Sequence, residues 1–264
     1  MKVVGRSLGL IFTALLLFIS QYAQTLSSIE GEMVRHLDNI SKFGNYGGSY
    51  DGTKVESENR DLKGKLIRYG KRADVLRYSF PKLKGKMQVA TSKDGNLRIY
   101  SWDEETGGTM HDHDSVFQYR GNNGKVFSWA VTEDGDEDIG GFYHDIFQLS
   151  TNKGAVYLTV STFIGSTSLA GQSIKVLRIH GNTLDREAKL IRTVSGLQNS
   201  IDFQYDFFSV VDRPERPVRL FKFNEARKEF SFPVVIEDDK TPQGRVTNKS
   251  ITYRFNGTHF VKVN

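Results

Sequence analysis

From Val75 onward the sequence alternates apolar and polar residues in short runs, and turn residues close each run. Leu76, Tyr78 and Phe80 start the pattern and Pro81 ends the first run. Period-two alternation places successive side chains on opposite faces of an extended chain, so such runs bury their apolar face by pairing into sheets. Further strands are predicted near 86–92, 97–102, 115–120, 125–132, 144–150, 155–164, 173–180, 187–193, 201–211, 217–223, 229–236, 249–255 and 259–263. Asp94-Gly95, Asn122-Asn123-Gly124, Asn152-Lys153-Gly154, His180-Gly181-Asn182, Asn224-Glu225 and Asn256-Gly257 supply the turns between them. No helical period intervenes, which predicts a mainly β, antiparallel meander. Similar hairpins at Phe117 to Trp129, Val218 to Val234 and Ile251 to Val263 recur loosely at about 40 residues, near a propeller-blade period. A β-propeller of about five blades is therefore the first expectation, with a β-sandwich or barrel as the alternative. An outer-membrane barrel is disfavoured, because strands that alternate Lys or Arg with apolar residues lack a lipid-facing band.

The N-terminal part has a different grammar. Lys2 and Arg6 precede an apolar run from Leu8 to Ile19, the layout of a signal peptide, and residues 1–23 are assigned to it. The segment 24–74 is expected to hold helices packed on a β-rich domain, 75–264. Ser27 and Glu30 fit a capping box, and Ile29, Met33, Leu37 and Ile40 recur as one helical stripe. A second helix is predicted from about Ser57 to Tyr69, with Leu62, Leu66 and Tyr69 on one face and Gly64 weakening it. Cysteine is absent from the sequence, which removes thiol chemistry and the lipidation that a bacterial lipoprotein needs. Formal charge is +5, falling to about +3 without Lys2 and Arg6, and no nucleic-acid-binding signature accompanies it. The expected location is the periplasm or the extracellular space, with no integral membrane insertion after signal cleavage.

Chemistry concentrates between Ser92 and Arg120. Asp94-Gly95 turns the chain into Leu97–Trp102, where Leu97, Ile99 and Ser101 share one face and Arg98, Tyr100 and Trp102 the other. Asp103-Glu104-Glu105-Thr106-Gly107-Gly108 forms an acidic loop, and Thr109-Met110-His111-Asp112-His113-Asp114 leads into the next strand. On extended chain His111 and His113 point to one face and Asp112 and Asp114 to the other. A His-x-His pair can supply two nitrogen ligands to Zn or another transition metal, a third ligand being needed from elsewhere, for which His144 and His180 are candidates. A His held by a carboxylate can instead act as a general base. The plain alternative is a solvated polar loop. Tyr100, Trp102, Asp103, Thr109, His111, His113 and His144 are the candidate ligand-binding residues.

The string from Ser92 to Met110 and the Val116 to Arg120 strand resemble a motif of uncharacterised secreted proteins of Gram-negative bacteria. The pattern Ser-x-Asp-Gly-x-Leu-Arg-Ile-Tyr-Ser-Trp-Asp, followed by Thr-Gly-Gly-Thr-Met, is met by Ser92, Asp94, Gly95, Leu97 to Asp103 and Thr106 to Met110. Tyr253 to Gly257 and Phe260 to Lys262 resemble the closing hairpin of that family. The resemblance covers most of the chain after residue 50 and implies export; it carries no activity with it.

Two other features bear on function. Asp134, Asp136 and Asp138 fall at the first three ligand positions of a calcium loop and Asp145 at the twelfth, but Ile139 stands where such loops need Gly. A looser Ca site or a solvated acidic turn are the two readings. Gly140-Gly141-Phe142-Tyr143-His144-Asp145 echoes Gly107-Gly108-Thr109-Met110-His111-Asp112, so both loops are expected at one end of the β-domain. With no complete catalytic signature, the expectation is an exported binding module for an envelope polymer, peptide or protein. A metal-dependent hydrolase built on His111, His113 and either His144 or an Asp, and a Ca-stabilised structural domain, are the alternatives.

Overall fold

The computed structural model describes residues 24–130 and 140–263, so the expected signal segment lies outside the described residues. Among the described residues the strands form three sheets. β1 (Gln88–Thr91), β2 (Leu97–Asp103), β3 (His113–Arg120) and β4 (Val126–Ala130) form an antiparallel meander in that order. β5 (Phe142–Thr151), β6 (Gly154–Ile164) and β7 (Leu169–His180) continue it as a second sheet, joined at β7 by β8 (Thr183–Asp185) and β11 (Ser200–Asp206). The third sheet holds β9 (Ile191–Thr193), β10 (Gly196–Gln198), β12 (Lys222–Asn224), β13 (Glu229–Asp238), β14 (Thr241–Phe255) and β15 (Phe260–Val263). Its order is β10-β9-β15-β14-β13-β12, and the β15–β9 contact is its one parallel pairing among the described residues.

The mainly β, antiparallel expectation holds, but the sheets are three stacked layers and not about five four-stranded blades. The approximate repeat misleads because two of its hairpins are not separate units. β12–β13 and β14–β15 join through the β13–β14 pairing into one sheet.

Apolar residues on both faces of the inner strands explain the layering. Leu97 and Ile99 of β2 meet Tyr143, Tyr157 and Leu177 of the second sheet. Tyr100 and Trp102 of the same strand pack on the helices with Ile29, Met33, Leu62 and Leu66. In β6, Tyr157 faces the first sheet while Val156, Leu158 and Val160 face Phe230, Phe232, Tyr253 and Phe260 of the third. The order is helices, first sheet, second sheet, third sheet.

Helices α1 (Leu26–Phe43), α2 (Gly52–Tyr69) and α3 (Ala73–Arg77) form the outer layer. The predicted stripe of Ile29, Met33, Leu37 and Ile40 is buried against the first sheet. Its cap differs from expectation: the Thr25 hydroxyl, not Ser27, accepts from Ser28 N at 3.2 Å. Glu30 is free to turn inward, where it accepts from Lys82 N at 2.7 Å and the Tyr78 hydroxyl at 3.1 Å. α2 begins earlier than predicted, because Asp51 caps it by accepting from Lys54 N. The run from Leu76 to Phe80 is not a strand. Adjacent Val75 and Leu76 are both buried, as one turn of helix allows and a strand with one solvated face does not. Among the described residues no helix is long and apolar enough to cross a membrane.

Candidate functional site

The C-terminal end of β2 and the lead-in to β3 meet the N-terminal connector and β5 at one corner of the first two sheets. Asp103 pairs in register with His113, and its carboxylate accepts the Nδ1–H of His111 at 2.5 Å. A hydrogen bond at Nδ1 fixes the ring orientation and leaves Nε2 as the nitrogen free for another partner. The Tyr46 ring stacks on His111 with centroids 4.8 Å apart and planes at 17°. Its hydroxyl donates to the Gly108 carbonyl. Asn45 holds the same loop, donating from Nδ2 to the carbonyls of Thr106 at 2.8 Å and Gly107 at 2.6 Å. The loop is tight enough that a Cβ on Gly107 would fall 2.0 Å from the Met110 carbonyl oxygen, so no other residue fits there without moving it.

The two Gly-Gly-x-x-His-Asp loops do come together, through backbone. His111 N donates to Ile164 O and His113 N to Gly140 O, each at 3.1 Å. Rings then continue from one loop to the other: His111 to His113 at 6.3 Å, His113 to Phe142 at 4.9 Å, Phe142 to His144 at 6.0 Å. Phe142 separates the histidines of the two loops. His144 is buried, with Nδ1 on Asp145 at 2.9 Å and Nε2 on the Thr162 hydroxyl at 3.0 Å. Both its nitrogens are engaged inside the second sheet, so neither it nor Asp145 completes a metal set with His111 and His113. Among the described residues no three His, Asp or Glu side chains are placed to hold a metal ion. Asp134, Asp136 and Asp138 lie outside the described residues.

The other candidates divide by strand face. Tyr100 is fully buried, its hydroxyl donating to Gln118 Oε1 at 2.8 Å. Trp102 is 1 % exposed and its indole N–H donates to Asn59 Oδ1 at 2.8 Å. Both belong to the core under the helices, because the face that carries Arg98 is the one the helices cover. Thr109 is exposed at the loop tip. Asp103 and His113 line a cleft of about 190 Å³ with Phe142 and Lys86. A second cleft of about 380 Å³ runs on from it along α1, sharing Gly85, Lys86 and Asp103. Lys86 pairs with Asp38 of α1 beside both clefts.

Burial shifts two titratable groups beside β2, in opposite directions. Burial lowers the pKa of His113, and the Asp103 carboxylate opposes that shift. Its Nδ1 is buried without a hydrogen-bond partner, so the neutral ring is the stable form. On the helix side Glu104 is pushed up to about 7, first by burial, then by the carboxylates of Asp114, Asp112 and Asp103, with Lys63 opposing. Lys63 itself pairs with Asp114 at 3.0 Å and ties α2 to β3. A carboxyl whose folded pKa is raised above 4.5 binds its proton more tightly in the folded state, so stability falls as pH rises from 4.5 towards about 7. Glu104→Gln removes that loss. Its melting temperature should match the parent near pH 4.5 and exceed it at about pH 8, as read by thermal melts across that range. An equal offset at every pH would reject the assignment.

Local sequence pattern does not single out Tyr46, Asn45, Asn59 or Glu104 as site residues. Tyr46 and Asn45 sit in a Gly-rich connector with no periodicity, and only the fold brings them more than 60 positions along the chain to the 106–108 loop. Compared with protein-family models, curated proteins and solved structures, the chain matches none.

Proposed function

We propose that this chain is an exported, non-enzymatic binding module of the bacterial envelope whose contact surface is the corner formed by Asp103, His111 and Tyr46. The carrying observation is that Asp103 and Tyr46, from two separate segments, hold one half-exposed imidazole in a fixed orientation beside two joined clefts. Preorganised polar groups at the rim of a concave surface favour recognition, because little side-chain freedom is lost on binding. Exposed Tyr46 and Met110 add apolar area beside the polar centre. The basic and apolar start of the sequence supports export. The ligand is an envelope polymer, peptide or protein segment that offers a hydrogen-bond donor to His111 Nε2.

The test is an array of envelope glycans and peptides probed with the chain lacking residues 1–23. At least one class should bind, and His111→Ala or Tyr46→Ala should weaken it by about tenfold or more while the fold, read by circular dichroism, is retained. Binding that ignores both substitutions, or no binding to any class, would overturn the proposal. A second reading rests on the Asp103–His111 pair alone, with His111 as a general base. Hydrolysis of any array member by the parent and not by His111→Gln would favour it.

A further inference from the structure

The opposite end of β2 carries a third cleft with different chemistry. Arg98 and Asp103 are five residues apart on this strand, on the order of 17 Å, so the two sites are separate. This cleft, about 470 Å³, lies beside the Asp94-Gly95 turn and is lined by Arg77, Lys93, Arg98 and Arg120. Arg98 is 7 % exposed and its place is set by the fold. Its Nε donates to the Thr91 hydroxyl at 2.9 Å, and its Nη1 to the carbonyls of Val75 at 3.1 Å and Tyr78 at 2.7 Å. These partners are neutral. Among the described residues no carboxylate pairs with Arg77, Arg98 or Arg120, whereas Lys93 is taken by Glu225.

The only carboxylate lining the cleft among the described residues is Asp94, and it is saturated. It accepts from the Ser92 hydroxyl at 2.7 Å, Asn96 N at 3.0 Å, Asn96 Nδ2 at 3.1 Å and the Tyr157 hydroxyl at 2.9 Å. Asp94 holds the turn and has no lone pair to spare for a guanidinium. A largely buried cation with neutral partners carries an uncompensated desolvation cost, which a counter-anion relieves. Guanidinium groups suit that anion well, because their planar N–H pairs match two oxygens of a carboxylate, sulfate or phosphate.

We propose that this cleft binds an oxyanion carried by a larger molecule, with Arg98 as the fixed anchor and Arg77 and Arg120 closing on it from the rim. The volume supports a carrier, since it falls in the range of sites that take whole small-molecule or saccharide units. The inference does not depend on the role of His111.

Calorimetric titration of the chain with inorganic phosphate and, separately, with a polygalacturonate oligomer at low ionic strength tests it. Saturable binding that weakens with added salt is expected. Arg77→Glu with Arg120→Glu should lower affinity by about tenfold or more, and His111→Ala should leave it unchanged. Arg77 is exposed and holds no other element, so Arg77→Glu alone serves if the double variant melts early. Saturation by the oligomer and not by phosphate is the result expected of a carrier-borne anion. Equal binding of phosphate and oligomer per site would overturn the need for a carrier. Neither probe saturating, or binding that survives the charge reversals, would overturn the whole proposal.

Discussion

Trp102→Ala should cost about 3–5 kcal/mol of folding stability, the range for truncating a large buried aromatic. Trp102 is among the largest fully buried side chains, and it joins the helix layer to the first sheet. The cost has two parts. One is the cavity left between α1, α2 and β2. The other is the orphaned Asn59, whose Oδ1 loses the indole N–H at 2.8 Å while its Nδ2 still bonds Val55 O at 3.0 Å and Glu104 O at 2.8 Å. A buried acceptor left without a partner costs about 1–3 kcal/mol by itself. Trp102→Phe separates the two parts, keeping most of the packing and losing the hydrogen bond, so it should cost less than the Ala variant. Urea unfolding measures both. A loss below about 1 kcal/mol for Trp102→Ala would mean that the helices are not anchored here.

Gln172→Leu is expected to cost about 3 kcal/mol or more, though Leu nearly matches Gln in size. Gln172 is fully buried in β7 and satisfies three groups. Its Nε2 donates to Val218 O at 2.5 Å and to the Thr162 hydroxyl at 3.1 Å, and its Oε1 accepts from Leu220 N at 3.0 Å. Alternation predicts a strand through 218–220, but β12 holds only Lys222–Asn224. Val218 and Leu220 are buried there without a ladder. Gln172 stands in for the missing strand by bonding their backbone. Thr162 extends the chain to His144 and so to Asp145, which also pairs with Arg219 at 3.2 Å. Leu at 172 would leave a buried N–H and C=O unpaired. Hydrogen exchange should show Leu220 N losing protection more than the neighbouring strands, and an unchanged rate there would contradict this role.

The layered core is partly legible in the order of residues. The alternation of β2 separates Leu97, Ile99 and Ser101 from Arg98, Tyr100 and Trp102, and the two sets do face different layers. Alternation does not say that both layers will be filled, so the aromatic face reads as a ligand surface when it is core. Strand positions are recoverable because alternation and Gly-containing turns are local; Gly95, with φ of 68°, is one such turn. The sheet grouping is not, because which strand pairs with which depends on contacts far apart in sequence.

Local chemistry is what the sequence determined alone: mainly β folding after the first helices, the apolar stripe of α1, and the shared face of His111 and His113. Each follows from spacing within a few residues, which a strand or helix converts directly into direction. Only tertiary structure decided the partners. It placed Phe142 between His113 and His144, turned His144 onto Asp145 and Thr162, brought Tyr46 onto His111, and left Arg98 beside an open cleft whose one carboxylate is already taken. Such contacts arise from layer packing and crossing segments, which no local period encodes.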